Sequence, residues 1–151
     1  MALSGTSQDI TGIPAGVRRL TITLNEVTVS AAAQLYIQLG TSGGMVTTGY
    51  LASNGAVSSV GANAGTSTVG IPIAYTATGA VGPYRGHVIL TRFGSTNRWI
   101  ASIVVQYASG ILALAAVGVT LSGALDRIRL TTAAGTATLG GDVELIREMD
   151  V

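Results

Sequence analysis

The sequence predicts an all-β protein, an antiparallel β-sandwich built as one domain. Three observations carry that prediction. Apolar and polar residues alternate with period two along much of the chain, the pattern of strands with one buried face. Glycine occurs 21 times in 151 residues, more than helices tolerate and well suited to turns. Only Gly110 to Val119 has the alanine-rich composition of a helix. There Gly110 and Gly118, with β-branched Val117, Val119 and Thr120, oppose it, so its latter part reads as a strand.

Taken in order, the first strand is Arg19 to Leu24, where Leu20, Ile22 and Leu24 alternate with Arg19, Thr21 and Thr23. Leu35, Ile37 and Leu39 alternate with Gln34, Tyr36 and Gln38 in the second. Gly40-Thr41-Ser42-Gly43-Gly44 then supplies the positive-φ positions of a tight turn. Residues 53–70 are small and of low complexity, with too little bulk to build a core; they read as either a mobile surface loop or an arm that orders only against a partner, the arm being preferred. Val88 and Leu90 mark the next strand. Trp99-Ile100-Ala101-Ser102-Ile103-Val104-Val105 is a nearly continuous apolar run, as expected of a central strand buried on both faces, with Trp99 in the core. Leu125, Ile128 and Leu130 form another strand, with Arg127 and Arg129 opposite. Asp142, Glu144 and Ile146 alternate with Val143, Leu145 and Arg147 in the last. About eight or nine short strands separated by Gly- and Ser-rich turns indicate a sandwich or barrel.

Composition limits the function. Hydrophobic residues are 48% and charged residues 10% of the chain, well below the usual quarter. Mean hydropathy is +0.54, yet no window approaches the ~20 apolar residues of a spanning helix. The best candidate, Ile111 to Val119, is short and contains Gly118. A soluble chain with much neutral surface is therefore expected, and burial against copies of itself or against a larger assembly is the economical use of that surface. All eight basic residues are Arg, which suits interface ion pairs, although a GC-rich genome gives the same bias. A net charge of +1, with no basic cluster beyond Arg18-Arg19, gives no basis for nucleic-acid binding. Cysteine is absent, which excludes disulfides and thiolate metal sites. The start, Met1-Ala2-Leu3-Ser4-Gly5, lacks the pattern of a secretory signal.

The catalytic inventory is thin, and no catalytic, cofactor-binding or metal-ligating residue is assigned. His87 is the only histidine and is expected to be structural or exposed on its strand. No Gly-x-Ser-x-Gly elbow appears, and Gly12 to Gly16 lacks the Lys and the helix of a phosphate cradle. Asp142 and Glu144, two apart on a strand, have the rough spacing of a glycosidase pair. Arg127 and Arg129 share that spacing, so a cross-strand charge ladder is the better expectation. No loop gathers enough oxygen ligands for a metal ion. Sugar binding would need exposed aromatics beside polar groups. Tyr50, Tyr75 and Tyr84 lie near turns and so are placed toward solvent or a partner.

Blocks along the chain carry a resemblance. They are Asp9-Ile10-Thr11-Gly12-Ile13-Pro14-Ala15-Gly16-Val17-Arg18-Arg19-Leu20-Thr21-Ile22, Gln38-Leu39-Gly40-Thr41-Ser42-Gly43-Gly44, Thr48-Gly49-Tyr50, Gly86-His87-Val88-Ile89-Leu90, Asn97-Arg98-Trp99-Ile100-Ala101-Ser102 and Leu125-Asp126-Arg127-Ile128-Arg129-Leu130-Thr131-Thr132. In this order, over roughly residues 8–147, they resemble a β-rich domain found at the distal end of bacteriophage and prophage tail-fibre proteins. The resemblance implies a non-enzymatic structural protein on the exterior of a virion, assembled in a host cytoplasm. By analogy with other virion proteins, a jelly roll is the preferred topology. The expected organisation is an N-terminal arm, 1–10, and a single β-sandwich domain, 11–151.

Two roles compete under that resemblance. The first is a capsid decoration (cement) protein that stabilises the head by contacts with the major capsid protein. The second is a tail-fibre tip that recognises the host surface, such as a surface glycan. With about ten residues before the first block and no shaft sequence, the sequence leans to decoration. Capsid contacts are then expected from residues 2–10 and 53–70. The expected partners are itself, as a homotrimer, and capsid or tail components, with no nucleic acid and no membrane insertion.

Overall fold

The computed structural model describes residues 1–74, 80–108 and 110–149, and within them the chain is two antiparallel sheets packed face to face. The strands are β1 (Ser7–Thr11), β2 (Val17–Val29), β3 (Leu35–Thr41), β4 (Gly44–Met45), β5 (Leu51–Ser58) and β6 (Gly61–Ser67). They continue with β7 (Ile71–Pro72), β8 (Tyr84–Arg92), β9 (Arg98–Tyr107), β10 (Ile111–Thr120), β11 (Arg127–Thr132) and β12 (Leu139–Met149). One sheet runs β1-β11-β3, with β4 and β7 side by side on the far edge of β3. The other has seven strands in the order β12-β2-β8-β9-β10-β5-β6. All pairings are antiparallel.

Alternation decides what fills the space between the sheets. Leu35, Ile37 and Leu39 of β3 and Ile128 and Leu130 of β11 point inward from the smaller sheet. Leu20, Ile22 and Leu24 of β2, Val88 and Leu90 of β8, and Trp99, Ile103 and Val105 of β9 meet them from the larger one. These side chains belong to one continuous cluster, the sandwich core that aligned sheets build from alternate residues. Trp99 is in it, as the sequence indicated. The stretch from Ile111 to Thr120 is strand throughout, β10.

The alternation of β2 changes phase twice, near its start between Val17 and Leu20 and again between Leu24 and Val27. Its register slips against β8 between Leu24 and Val27, and β12 slips opposite, between Gly140 and Asp142. Glu26 takes a positive φ of 53° there. Gly141 faces it at φ +84°, and a Cβ on Gly141 would lie 2.1 Å from the Glu26 carbonyl oxygen. Only glycine fits that position, and the double irregularity returns Val27 and Val29 to the core.

Several expectations are corrected. The segment read as an N-terminal arm, 1–10, is seated on the sandwich. β1 pairs with β11 from Ser7 to Thr11, Leu3 is buried, and the Met1 ammonium donates to the Val143 carbonyl at 2.8 Å. Residues 53–70, expected to order against a partner, fall largely within the β5–β6 hairpin, paired to β10 over seven residue pairs. Its bulk comes from the neighbouring strand, so its own small side chains suffice. Arg127 and Arg129 do not meet the acidic last strand, because β11 and β12 lie in different sheets. Arg127 pairs with Asp126 and Arg129 with Asp9, while β12 pairs with β2. Tyr50 and Tyr84 are fully buried, each donating its hydroxyl to a loop carbonyl, of Val46 and Ala80 respectively. Tyr75 lies outside the described residues. The strand order does not confirm a jelly roll: β8, β9 and β10 form a meander within one sheet.

Candidate functional site: the outer face of the seven-stranded sheet

The apolar run of β9 is the most consequential correction. Expected to be buried on both faces, it alternates strictly: Trp99, Ala101, Ile103 and Val105 are buried, and Ile100, Ser102 and Val104 are exposed. Val104 is 54% exposed. Among the described residues the smaller sheet covers one side of the larger one, and the second apolar phase of β9 is left outside.

The register extends that exposed phase across neighbouring strands. Val104 lies beside Leu114 of β10, Leu114 beside Gly55 of β5, and Gly55 beside Ala64 of β6. One row over, Gln106 is followed by Leu112, Val57 and Ala62; on the other side Ser102 is followed by Ala116, Ser53 and Thr66. Ile100, Gly118 and Leu51 complete the face, with the Arg98 guanidinium over Gly118. Between Ile100 and Gln106 and across β10 and β5, the outward positions carry no charge. Four strands about 4.8 Å apart, each contributing about seven residues at ~3.3 Å, span roughly 450 Å². The face, which includes Ser53, Ser102 and Gln106 among its apolar residues, is within the ~300–600 Å² of the largest patch on an ordinary monomer, a patch that is often functional.

Relief on the face is uneven. Val104, Leu112 and Leu114 stand as a ridge. Ser53, Gly55, Ala64 and Ala116 form an adjoining shallow depression of about 430 Å³. Gly55 keeps the depression open and its strands close, since a Cβ there would come within 2.9 Å of the Asn63 carbonyl oxygen. Charge sits at the margins and is largely paired within the chain. Arg85 donates to Glu26 at 2.8 Å and Arg19 lies 3.6 Å from Glu148, both pairs about half exposed.

The residues weighed for chemistry are dispersed. His87 is exposed on β8, its Nδ1 3.3 Å from the Thr23 hydroxyl. Asp142 and Glu144 pair across the strand with Asn25 and Thr23. Asp9 accepts two hydrogen bonds from Arg129, at 2.6 and 2.8 Å, which hold its carboxyl below the ordinary value. Asp126 is lowered likewise by Arg127. Among the described residues no group of three or more His, Asp or Glu is placed to hold a metal ion.

Sequence reasoning found the core phase of these strands and missed the outer one. Leu51, Val57, Leu112 and Leu114 were not singled out, although two apolar phases in adjacent strands were the available signal. No family model matches this sequence, no curated protein matches it, and no solved structure matches it.

Proposed function

We propose that this chain is a non-enzymatic structural protein on the exterior of a bacteriophage particle, a trimeric module at the tip of a tail fibre. The observation that carries the proposal is the uncharged apolar face of the seven-stranded sheet, with its ridge beside its depression. A ridge and a depression on one surface are complementary between copies. The Val104–Leu114 ridge of one copy fits the Gly55–Ala64 depression of the next. Such head-to-tail contacts close into a ring when the rotation between copies is threefold. The face of roughly 450 Å² makes a core about half the size of a standard ~800 Å² contribution per partner, with the polar margins supplying the rest. The virion assignment comes from the block order that resembles the distal tail-fibre domain.

The sequence leans to capsid decoration because no shaft sequence precedes the first block, and residues 2–10 and 53–70 are the stretches that reading relies on for lattice contacts. Strands β1, β5 and β6 now occupy much of both stretches, which removes that support. Antibody against the purified protein, imaged on particles by electron microscopy, is the test. Label at fibre tips, together with competition by the purified protein for adsorption to host cells, is the expected result. Label spread over the head, with no effect on adsorption, would assign the protein to the capsid instead.

A further inference from the structure

We infer that the free edge of β6 is a pairing surface for a second copy of this chain, which adds its own β6 antiparallel about a twofold axis at Ala64. Among the described residues the two sheets end in four edges, and three of them are guarded. β12 is covered from Leu139 to Val143 by residues 1–5, which exchange backbone hydrogen bonds with Leu139, Gly141 and Val143. The remainder of β12 carries Glu144, Arg147 and Glu148. β1 is five residues long and carries Asp9. β4 and β7 are two residues each, and β7 contains Pro72. Cover, charge, shortness and proline are the devices that keep an edge from accepting another strand.

β6 has none of them. Its sequence, Gly61-Ala62-Asn63-Ala64-Gly65-Thr66-Ser67, holds no charge and no proline, and its register on β5 runs through seven pairs without a bulge. Among the described residues β5 is its only strand partner, so alternate N–H and C=O groups on its other side meet no strand. Both ends are fixed in advance. The Ser58 hydroxyl accepts from the Val60 N–H and donates to the Gly61 carbonyl, and the Ser67 hydroxyl does the same for the Val69 N–H and the Gly70 carbonyl. An edge held in this way loses little conformational freedom when a strand is added.

The side chains of β6 select its own copy as the partner. Antiparallel pairing about Ala64 sets Ala64 against itself, Ala62 against Thr66 and Asn63 against Gly65 of the other copy. All are small and neutral, so no position meets a like charge or a clash. The same register carries the hairpin tip of one copy, where Val60 is 95% exposed, to the turn of the other that holds Val69, 42% exposed. A contact of seven residues is ~24 Å long and buries far less than the ~1,200–2,000 Å² of a stable interface, so at micromolar concentration it is transient. The edge faces sideways from the sheet and leaves the Val104–Leu114 ridge uncovered. The inference therefore goes beyond the threefold contact and does not rest on it.

The chain has no cysteine, so one introduced thiol can bridge only to its own counterpart. The test is the rate of covalent dimer formation under copper–phenanthroline oxidation for Ala64→Cys, Ala62→Cys and Val60→Cys, each also combined with Leu114→Glu. Facing residues of an antiparallel pair have Cα atoms ~4.5–5.5 Å apart, inside the ~4.4–6.8 Å that a disulfide spans. Ala62 and its counterpart are offset along the strands by roughly 14 Å, and the two Val60 tips by roughly 27 Å. Ala64→Cys should therefore cross-link at least about tenfold faster than the other two in both backgrounds, although Val60 is the most exposed of the three. No covalent dimer from Ala64→Cys, equal rates at the three positions, or loss of the Ala64→Cys cross-link in the Leu114→Glu chain would overturn the inference. The cross-link in the Leu114→Glu chain reads the edge alone, so failure of the edge pairing leaves the threefold contact standing, and the reverse holds.

Discussion

Tyr50 closes a gap that backbone pairing leaves open. On its far edge β3 is met by β7 at Tyr36 and Ile37 and by β4 at Gly40 and Thr41. Between them the Leu39 N–H donates to the Tyr50 hydroxyl at 2.7 Å, and that hydroxyl donates to the Val46 carbonyl at 2.9 Å. Tyr50→Phe leaves a buried donor and an acceptor unmatched, and should cost about 1–3 kcal/mol in urea unfolding. Burial pushes the phenol up to about 12. The unfolded chain ionises first, so this contribution is complete below the ordinary tyrosine value of 10.0 and is lost as pH rises toward 12. Asp9 behaves in the opposite sense. Its hydrogen bonds to Arg129 lower its folded pKa below the ordinary 3.8, so its contribution is complete above that value and is lost as pH falls through the lowered one. The pair is about one-third exposed, so its contribution is at most about 1 kcal/mol. Asp9→Asn should therefore narrow the difference between urea midpoints measured at about pH 7 and about pH 3. An unchanged difference would remove Asp9 from the acid sensitivity of the fold.

At the scale of elements, the N-terminal strand is a test of how far the sandwich depends on its first residues. Deleting residues 2–8 removes buried Leu3, the Leu3 N–H bond to the Gly141 carbonyl, the Gly5 carbonyl that accepts from Leu139, and the start of β1. Loss of the leucine side chain alone costs ~2–5 kcal/mol in a packed core, so the truncated protein should unfold at distinctly lower urea concentration. A truncation that unfolds like the full chain would return residues 1–10 to the status of an arm. Period-two alternation made the strands around Leu20, Leu35, Val88, Ile128 and Val143 legible before any coordinates, because each has one apolar phase. It fixes which residues share a face, not what covers that face, so the exposure of Ile100 and Val104 could not be read from it. The β5–β6 hairpin was illegible for a related reason. Ser53 and Gly55 have no bulk of their own and are held by β10, a partner about sixty residues away whose register the sequence does not encode locally, and Ala64 is held through β5. Ion pairing was misjudged on the same grounds. Arg129 meets Asp9 across 120 residues, which spacing along one strand cannot reveal.

For the whole molecule, the part of the large sheet built by β9, β10 and β5 carries apolar side chains on both of its sides, in different surroundings. One side is closed by the smaller sheet, and the other carries Val57, Val104, Leu112 and Leu114 into solvent with no charge among them. In the proposed assembly, further copies of the chain cover this second side. Sedimentation equilibrium of the purified chain at micromolar concentration, compared with its Leu114→Glu variant, measures this directly. Leu114 is 43% exposed and points away from the core, so the substituted chain should keep the β-sheet circular dichroism of the unsubstituted protein. The account predicts a trimer for the unsubstituted protein and a folded monomer for Leu114→Glu, whose carboxylate would be buried unpaired at the contact. A monomer in both, or a trimer that Leu114→Glu leaves intact, would contradict assembly through this face.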